Sequence, residues 1–227
     1  ADLSHDGKFF AIGFPSYDRG NGTNSGAVLI YKETDTGWYY GSDFIPLING
    51  QEGDILGANV KFATYSNKLI VSRHNWGTAY NNSWGKLYLY DISTEGKTIL
   101  LDQNGTTSNS AFGILANIKE LSSGEIKIFG AETESTGLDV AEDAKSTKSL
   151  LIGTYVDQDT AVSFEKIPYY SIDDLTTSCI SSAFTDNKFF AVMKTTDGSK
   201  THLVSWLLND LQAQPVLEKD LTDENSQ

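Results

Sequence analysis

The chain has 227 residues, 39% of them hydrophobic and 11% aromatic, enough to bury a substantial core. Its 30 acidic against 17 basic residues leave a net charge of −13, so the summed field repels phosphate backbones and anionic headgroups and argues against nucleic acid and membrane surfaces as partners. No stretch approaches the eighteen or so apolar residues of a membrane-spanning helix, and the single cysteine, Cys179, excludes an intrachain disulfide framework or a thiolate metal cluster.

In chain order, Ala1-Asp2-Leu3 reads as the end of a strand, and Ser4-His5-Asp6-Gly7-Lys8 as a turn into an apolar strand around Phe10 to Phe14. A Gly-rich link leads to a second strand, Gly26 to Tyr31, and a weaker segment runs from Trp38 to Ile45. Next come a leading strand from Gly57 to Phe62, a turn at Tyr65-Ser66-Asn67-Lys68, the strand Ile70-Val71-Ser72, and segments Gly85 to Tyr90 and Thr98 to Leu101. The pattern returns from Gly113 to Ile118, through the turn Ser122 to Glu125, to Ile128-Phe129-Gly130, Lys148 to Gly153 and Ala161 to Ile167. A fourth round has the turn Thr185 to Lys188, then Ala191-Val192-Met193, Thr201 to Trp206 and Pro215 to Leu217.

The short strands Ala11-Ile12-Gly13, Ile70-Val71-Ser72, Ile128-Phe129-Gly130 and Ala191-Val192-Met193 thus recur at steps of 59, 58 and 63 residues. Four short strands per step, Gly-rich turns and no helical periodicity predict an all-β propeller of about four blades of four antiparallel strands. The units are 1–50, 51–107, 108–172 and 173–220, with an acidic tail at 221–227. A two-sheet sandwich also has short alternating strands, but it has no reason to repeat them at a near-constant step. The stub Ala1-Asp2-Leu3 is short beside the leading strand of the second unit, and the tail is too polar to complete it. The four units are therefore expected to belong to a larger propeller or to an assembly with other chains.

The run Leu3-Ser4-His5-Asp6-Gly7-Lys8-Phe9-Phe10-Ala11-Ile12-Gly13-Phe14-Pro15, followed by Asn21 to Tyr31, resembles the FG-GAP repeat of integrin α-subunit propellers. The second unit is similar, while the third and fourth keep little beyond the period. The resemblance implies blades that can bind calcium through an Asp-rich loop. Asp2, Ser4 and Asp6 would take the first three ligand positions, but Phe10 replaces the closing carboxylate, so calcium is not expected and a plain Asp6-Gly7 turn is favoured.

Catalytic groups are sparse. Of His5, His74 and His202, the second is the most suggestive, because Arg73 and Trp76 place a cation and a stacking face beside it in one loop. No carboxylate or nucleophile elbow accompanies it. Trp38, Tyr39, Tyr80 and Trp84 form a candidate aromatic contact patch for protein or glycan. The acidic insertion from Glu132 to Asp143, including Glu134, Asp139 and Glu142, reads as solvated surface, although paired carboxylates are conceivable there. Cys179 reads as a buried small residue. Sequons at Asn21, Asn81 and Asn104 fall in stretches expected to be surface loops open to glycosylation.

Two functions follow. The first is a non-catalytic extracellular or cell-surface module for adhesion or assembly, without a cofactor, contacting protein or glycan. The second is a ligand-binding or hydrolytic propeller with its site on the loops around His74, Trp76 and the acidic insertion. Convergence of His74 with two carboxylates in one pocket would favour the second.

Overall fold

Each sixty-residue unit folds into one antiparallel sheet of consecutive strands. A computed structural model describes residues 1–18, 24–39, 48–49, 53–73, 85–93, 96–105, 112–113, 115–133, 147–156, 162–168, 170, 172, 177–195 and 197–222. Among them there is no helix.

The first sheet is β1 (Asp2–Leu3), β2 (Phe9–Phe14), β3 (Ala27–Thr34) and β4 (Gly37–Tyr39) in that order, with β5 (Ile48–Asn49) also paired to β3. The second is β6 (Val60–Phe62), β7 (Lys68–Arg73), β8 (Lys86–Ser93) and β9 (Gly96–Asn104). The third is β10 (Ala116–Glu120), β11 (Ile126–Thr133), β12 (Thr147–Tyr155) and β13 (Phe164–Ile167). The fourth is β14 (Thr177–Phe184), β15 (Lys188–Thr195), β16 (Thr201–Leu207) and β17 (Val216–Asp220). Four successive four-stranded meanders packed face to face make a β-propeller of about four blades.

The leading strands β1, β6, β10 and β14 approach one another in turn and form the inner side of the stack. Side chains there hold neighbouring blades together. Asp2 accepts from the Phe62 N–H at 2.8 Å, and the Asn59 amide donates to the Gly113 carbonyl at 2.9 Å. The Asn117 amide donates to the Ser182 carbonyl at 2.9 Å.

A blade has a forward face, toward the next unit in sequence, and a rear face. Three apolar seams join forward faces to rear faces. Phe9, Ala11, Val28 and Ile30 meet Phe62, Leu69, Val71, Tyr90 and Ile92 of the second blade. Ile70, Leu87 and Leu89 meet Ile118, Ile126 and Ile128. Phe129, Ala131, Leu150 and Ile152 meet Phe189, Ala191, Met193, Val204 and Trp206. The first seam closes tightly because glycines stand where it is narrowest. A Cβ on Gly13 would lie 1.9 Å from the Gly57 carbonyl oxygen, and Gly57 itself has φ of +89°.

This packing corrects the phase of the repeat. The Gly57 N–H donates to the Ser72 carbonyl and the Gly113 N–H to the Ala131 carbonyl, so Ser72 and Ala131 are equivalent. Phe129, not Ile128, is then the counterpart of Ile70. Ile70 lies on a forward face and Ile128 on a rear face, although both are fully buried in the same seam. A step of 58 residues is one residue out of register, and one residue reverses the face.

Candidate functional site on the first blade

Among the described residues, no blade packs against the rear face of the first blade. Strict alternation along β2 sends Phe9 and Ala11 into the first seam and Phe10 and Ile12 to the other side. Register extends that second side sideways, since Leu3 pairs with Phe10 and Phe10 with Tyr31, while Glu33 stands opposite Trp38 on the neighbouring rung. Phe10 packs against Tyr31 at 6.4 Å between ring centroids and edge-on against Trp38 at 6.1 Å. Leu3, Phe10, Ile12, Tyr31 and Trp38 line an open concavity of about 480 Å³, with Leu3 and Trp38 each 49% exposed. The surface is open, contiguous and largely apolar.

The aromatic patch expected from sequence is divided by the pleat. Trp38 joins the open face, whereas Tyr39, the next residue of β4, pairs with Lys32 and lies on the opposite side of the sheet. Tyr80 and Trp84, with His74 and Trp76, lie outside the described residues. Leu3, Phe10, Ile12 and Tyr31 were legible as strand residues, but nothing in their spacing distinguished a covered face from an uncovered one.

Arg73, at the end of β7, is drawn inward. Its Nη2 meets Asp54 Oδ1 at 2.5 Å, with Asp54 only 3% exposed, and its Nε is buried with no hydrogen-bond partner among the described residues. A buried carboxylate left without its cation would carry a large desolvation penalty, so the pair acts first as a structural fastening. Asp54 carried no signal in the sequence beyond its place before a glycine-rich turn.

The acidic insertion begins differently from expectation. Glu132 is not solvated loop but part of β11, paired with Ser149 and 5% exposed. Glu134, Asp139, Glu142 and Asp143 lie outside the described residues. Asn104 stands exposed at the end of β9, opposite Lys86, a strand end and not a loop; Asn21 and Asn81 lie outside the described residues.

Of the three calcium ligand positions, Ser4 and Asp6 bond each other and Asp2 is engaged on the second blade. Asp2 reaches across to the Phe62 N–H, while Asp6 accepts from Ser4 Oγ at 2.7 Å, the Lys8 N–H at 3.0 Å and Asn67 Nδ2 at 3.1 Å. Ser4 Oγ in turn accepts the Phe9 N–H. Burial raises the Asp6 carboxyl, but the Lys8 N–H, Ser4 and Asn67 outweigh it and hold it below its ordinary value. These oxygens are taken up in fixing a turn and fastening two blades. No group of three or more His, Cys, Asp or Glu is placed to hold a metal among the described residues.

The other two histidines are engaged by neighbours. His5 stands edge-on to Tyr65 at 5.9 Å, and His202 Nδ1 meets the Tyr170 hydroxyl at 3.0 Å. His202 Nε2 also lies 3.7 Å from Asp220 Oδ1. Cys179 is 4% exposed on the rear face of the fourth blade, and burial pushes its thiol up to about 12, so it is not a thiolate at neutral pH.

No family model matches the chain, and no curated protein matches it significantly. Among solved structures, a prolyl endopeptidase studied for inter-domain dynamics in catalysis and specificity aligns with 96% of this chain at 12% identity and a TM-score of 0.50. This chain spans 28% of that one. At so low an identity the likeness speaks for the propeller fold alone.

Proposed function

We propose that this chain is a non-catalytic contact module, used in adhesion or assembly, that engages protein or glycan through the open rear face of its first blade. The observation that carries this reading is the concavity of Leu3, Phe10, Ile12, Tyr31 and Trp38, an aromatic surface of the kind that supplies binding energy when covered. The resemblance of the first hundred residues to FG-GAP repeats and the three sequons support an extracellular or cell-surface setting. Of the groups of a hydrolytic alternative around His74, Trp76 and the acidic insertion, Glu132 is built into a strand, which supports the contact module.

The test is a glycan array and a panel of purified cell-surface proteins probed with the native chain and with Trp38→Ala. A binder whose signal falls at least ten-fold in a variant of unchanged melting temperature supports the reading. Binders that ignore Trp38 and Tyr31 alike, or release of a peptide or sugar product from a bound substrate, would end it.

A further inference from the structure

The third seam changes character at the end where β11 begins. Phe129 and Ile152 belong to its apolar core. Strand alternation puts Lys127 and Thr154, two residues from them along β11 and β12, on the same face of the third blade, and Glu165 of β13 stands opposite Ile152. The turn after β16 is laid over that end. The Leu208 N–H donates to the Asn187 carbonyl at 2.9 Å, and Gln212 Nε2 donates to the Lys166 carbonyl of β13 at 3.2 Å, which ties the turn to the third blade. Between them lies a cleft of about 180 Å³ with polar walls of Lys127, Thr154, Ser163, Glu165 and Asn209. Ile152, Leu208 and Leu211 line the rest of it with carbon.

We infer that this cleft is a binding site for one neutral sugar residue, distinct from the open face of the first blade. The charge balance selects a neutral ligand. Lys127 Nζ donates to Thr154 Oγ1 at 2.8 Å and lies 4.0 Å from Glu125, and Glu165 brings a second carboxylate into the wall. One ammonium against two carboxylates does not favour an anion, and the ammonium itself does not favour a cation. Hydrogen-bonding capacity then selects hydroxyls. Among the described residues, the side chains of Ser163, Glu165 and Asn209 make no hydrogen bond, and Lys127 uses one of its three N–H groups. Lysine only donates, an ionised glutamate only accepts, and serine and asparagine do both. Adjacent ring hydroxyls, each donor and acceptor at once, match that mixed set, while Ile152, Leu208 and Leu211 offer contact to the C–H side of a ring. Size sets the limit. A volume of about 180 Å³ is the share of some six waters at roughly 30 Å³ each, room for one ring and not for a chain of them.

The experiment is saturation-transfer NMR of the native chain with neutral hexoses and N-acetylhexosamines, their methyl glycosides, and alanine and serine as zwitterions. It is followed by titration of the isotope-labelled protein. At least one sugar is expected to bind and to move the amide signals of Ser163 and Asn209. Glu165→Ala and Asn209→Ala, both at exposed positions, should each weaken that sugar by about five-fold or more at unchanged melting temperature. Acceptance of the methyl glycoside assigns the site to the end of a glycan, and its rejection assigns it to free sugar. Trp38→Ala should leave this binding unchanged, so the cleft and the first-blade face stand or fall separately. No binding by any sugar at tens of millimolar overturns the inference. So does preference for the zwitterions, or sugar binding that Glu165→Ala and Asn209→Ala leave intact.

Discussion

The first blade has two apolar faces built from the same strands, and they differ in what covers them. Phe9, Ala11, Val28 and Ile30 are sealed against the second blade, whereas Phe10, Ile12 and Tyr31, one residue away along the same strands, bound an open concavity with Trp38 of β4. Composition does not separate the two sets. What separates them is position in the stack, because a propeller blade buries both faces only when it has a neighbour on each side. The forward face is core and the rear face is open.

The contrast is sharpest in a pair of substitutions. Val28→Asp forces an unpaired charge into the first seam and is expected to cost more than about 4 kcal/mol, enough to abolish cooperative unfolding in urea. Ile12→Asp, on the adjoining strand but the other face, should shift stability by no more than about 1 kcal/mol. Equal losses for the two would mean that the rear face is already covered.

Next in size is the glycine contact that closes the first seam. Gly13→Ala places a methyl group against the Gly57 carbonyl and should cost about 3 kcal/mol through separation of the blades. Gly37→Ala, at φ of +116° but with open space around it, should cost about 1 kcal/mol from backbone strain alone. Denaturant midpoints for the two variants should preserve that order, and a reversal would show that the seam yields more easily than the turn.

Trp38→Ala removes a half-exposed side chain that stands edge-on to Phe10, so the expected change in stability is below about 0.5 kcal/mol. Its effect should appear instead as lost partner binding, read by titration calorimetry against any binder of the native chain. A large drop in melting temperature with binding intact would reassign Trp38 to the core.

The smallest effect concerns an exposed turn beyond the fourth blade's β15. Hydrogen bonds from the Thr195 hydroxyl, then the Ser199 N–H and hydroxyl, hold Asp197 down to about 2 from an ordinary 3.8. A carboxyl depressed in the folded state contributes stability that is present above its unfolded value and lost as pH falls through its folded value. Urea midpoints should therefore fall between about pH 4 and about pH 2, and Asp197→Asn should flatten that limb slightly while leaving neutral pH nearly unchanged. An acid limb identical in the variant would show that the turn opens before Asp197 titrates.

Much of the architecture was legible in the chain. Turn residues such as Asp6-Gly7 and Ser123-Gly124, spaced by short apolar runs, marked strands that β2, β7, β11 and β15 realise, and the near-constant step indicated blades. The face of each strand was not legible. Leu69-Ile70-Val71 is apolar throughout because both sides of a central blade are buried, and such a run carries no alternation from which to read its phase. For that reason Ile128 resembled the partner of Ile70, and Trp38 and Tyr39 looked like one patch although the pleat sends them apart.

Local composition and period thus determined the strands, the turns and the number of units, since these depend on neighbours within a few residues. Tertiary packing alone decided which apolar residues are core and which form an exposed surface, and it brought Asp54 to Arg73 and Asp2 to the backbone of Phe62. Those outcomes depend on the blade next door, some sixty residues away in sequence, and on whether a blade is there at all.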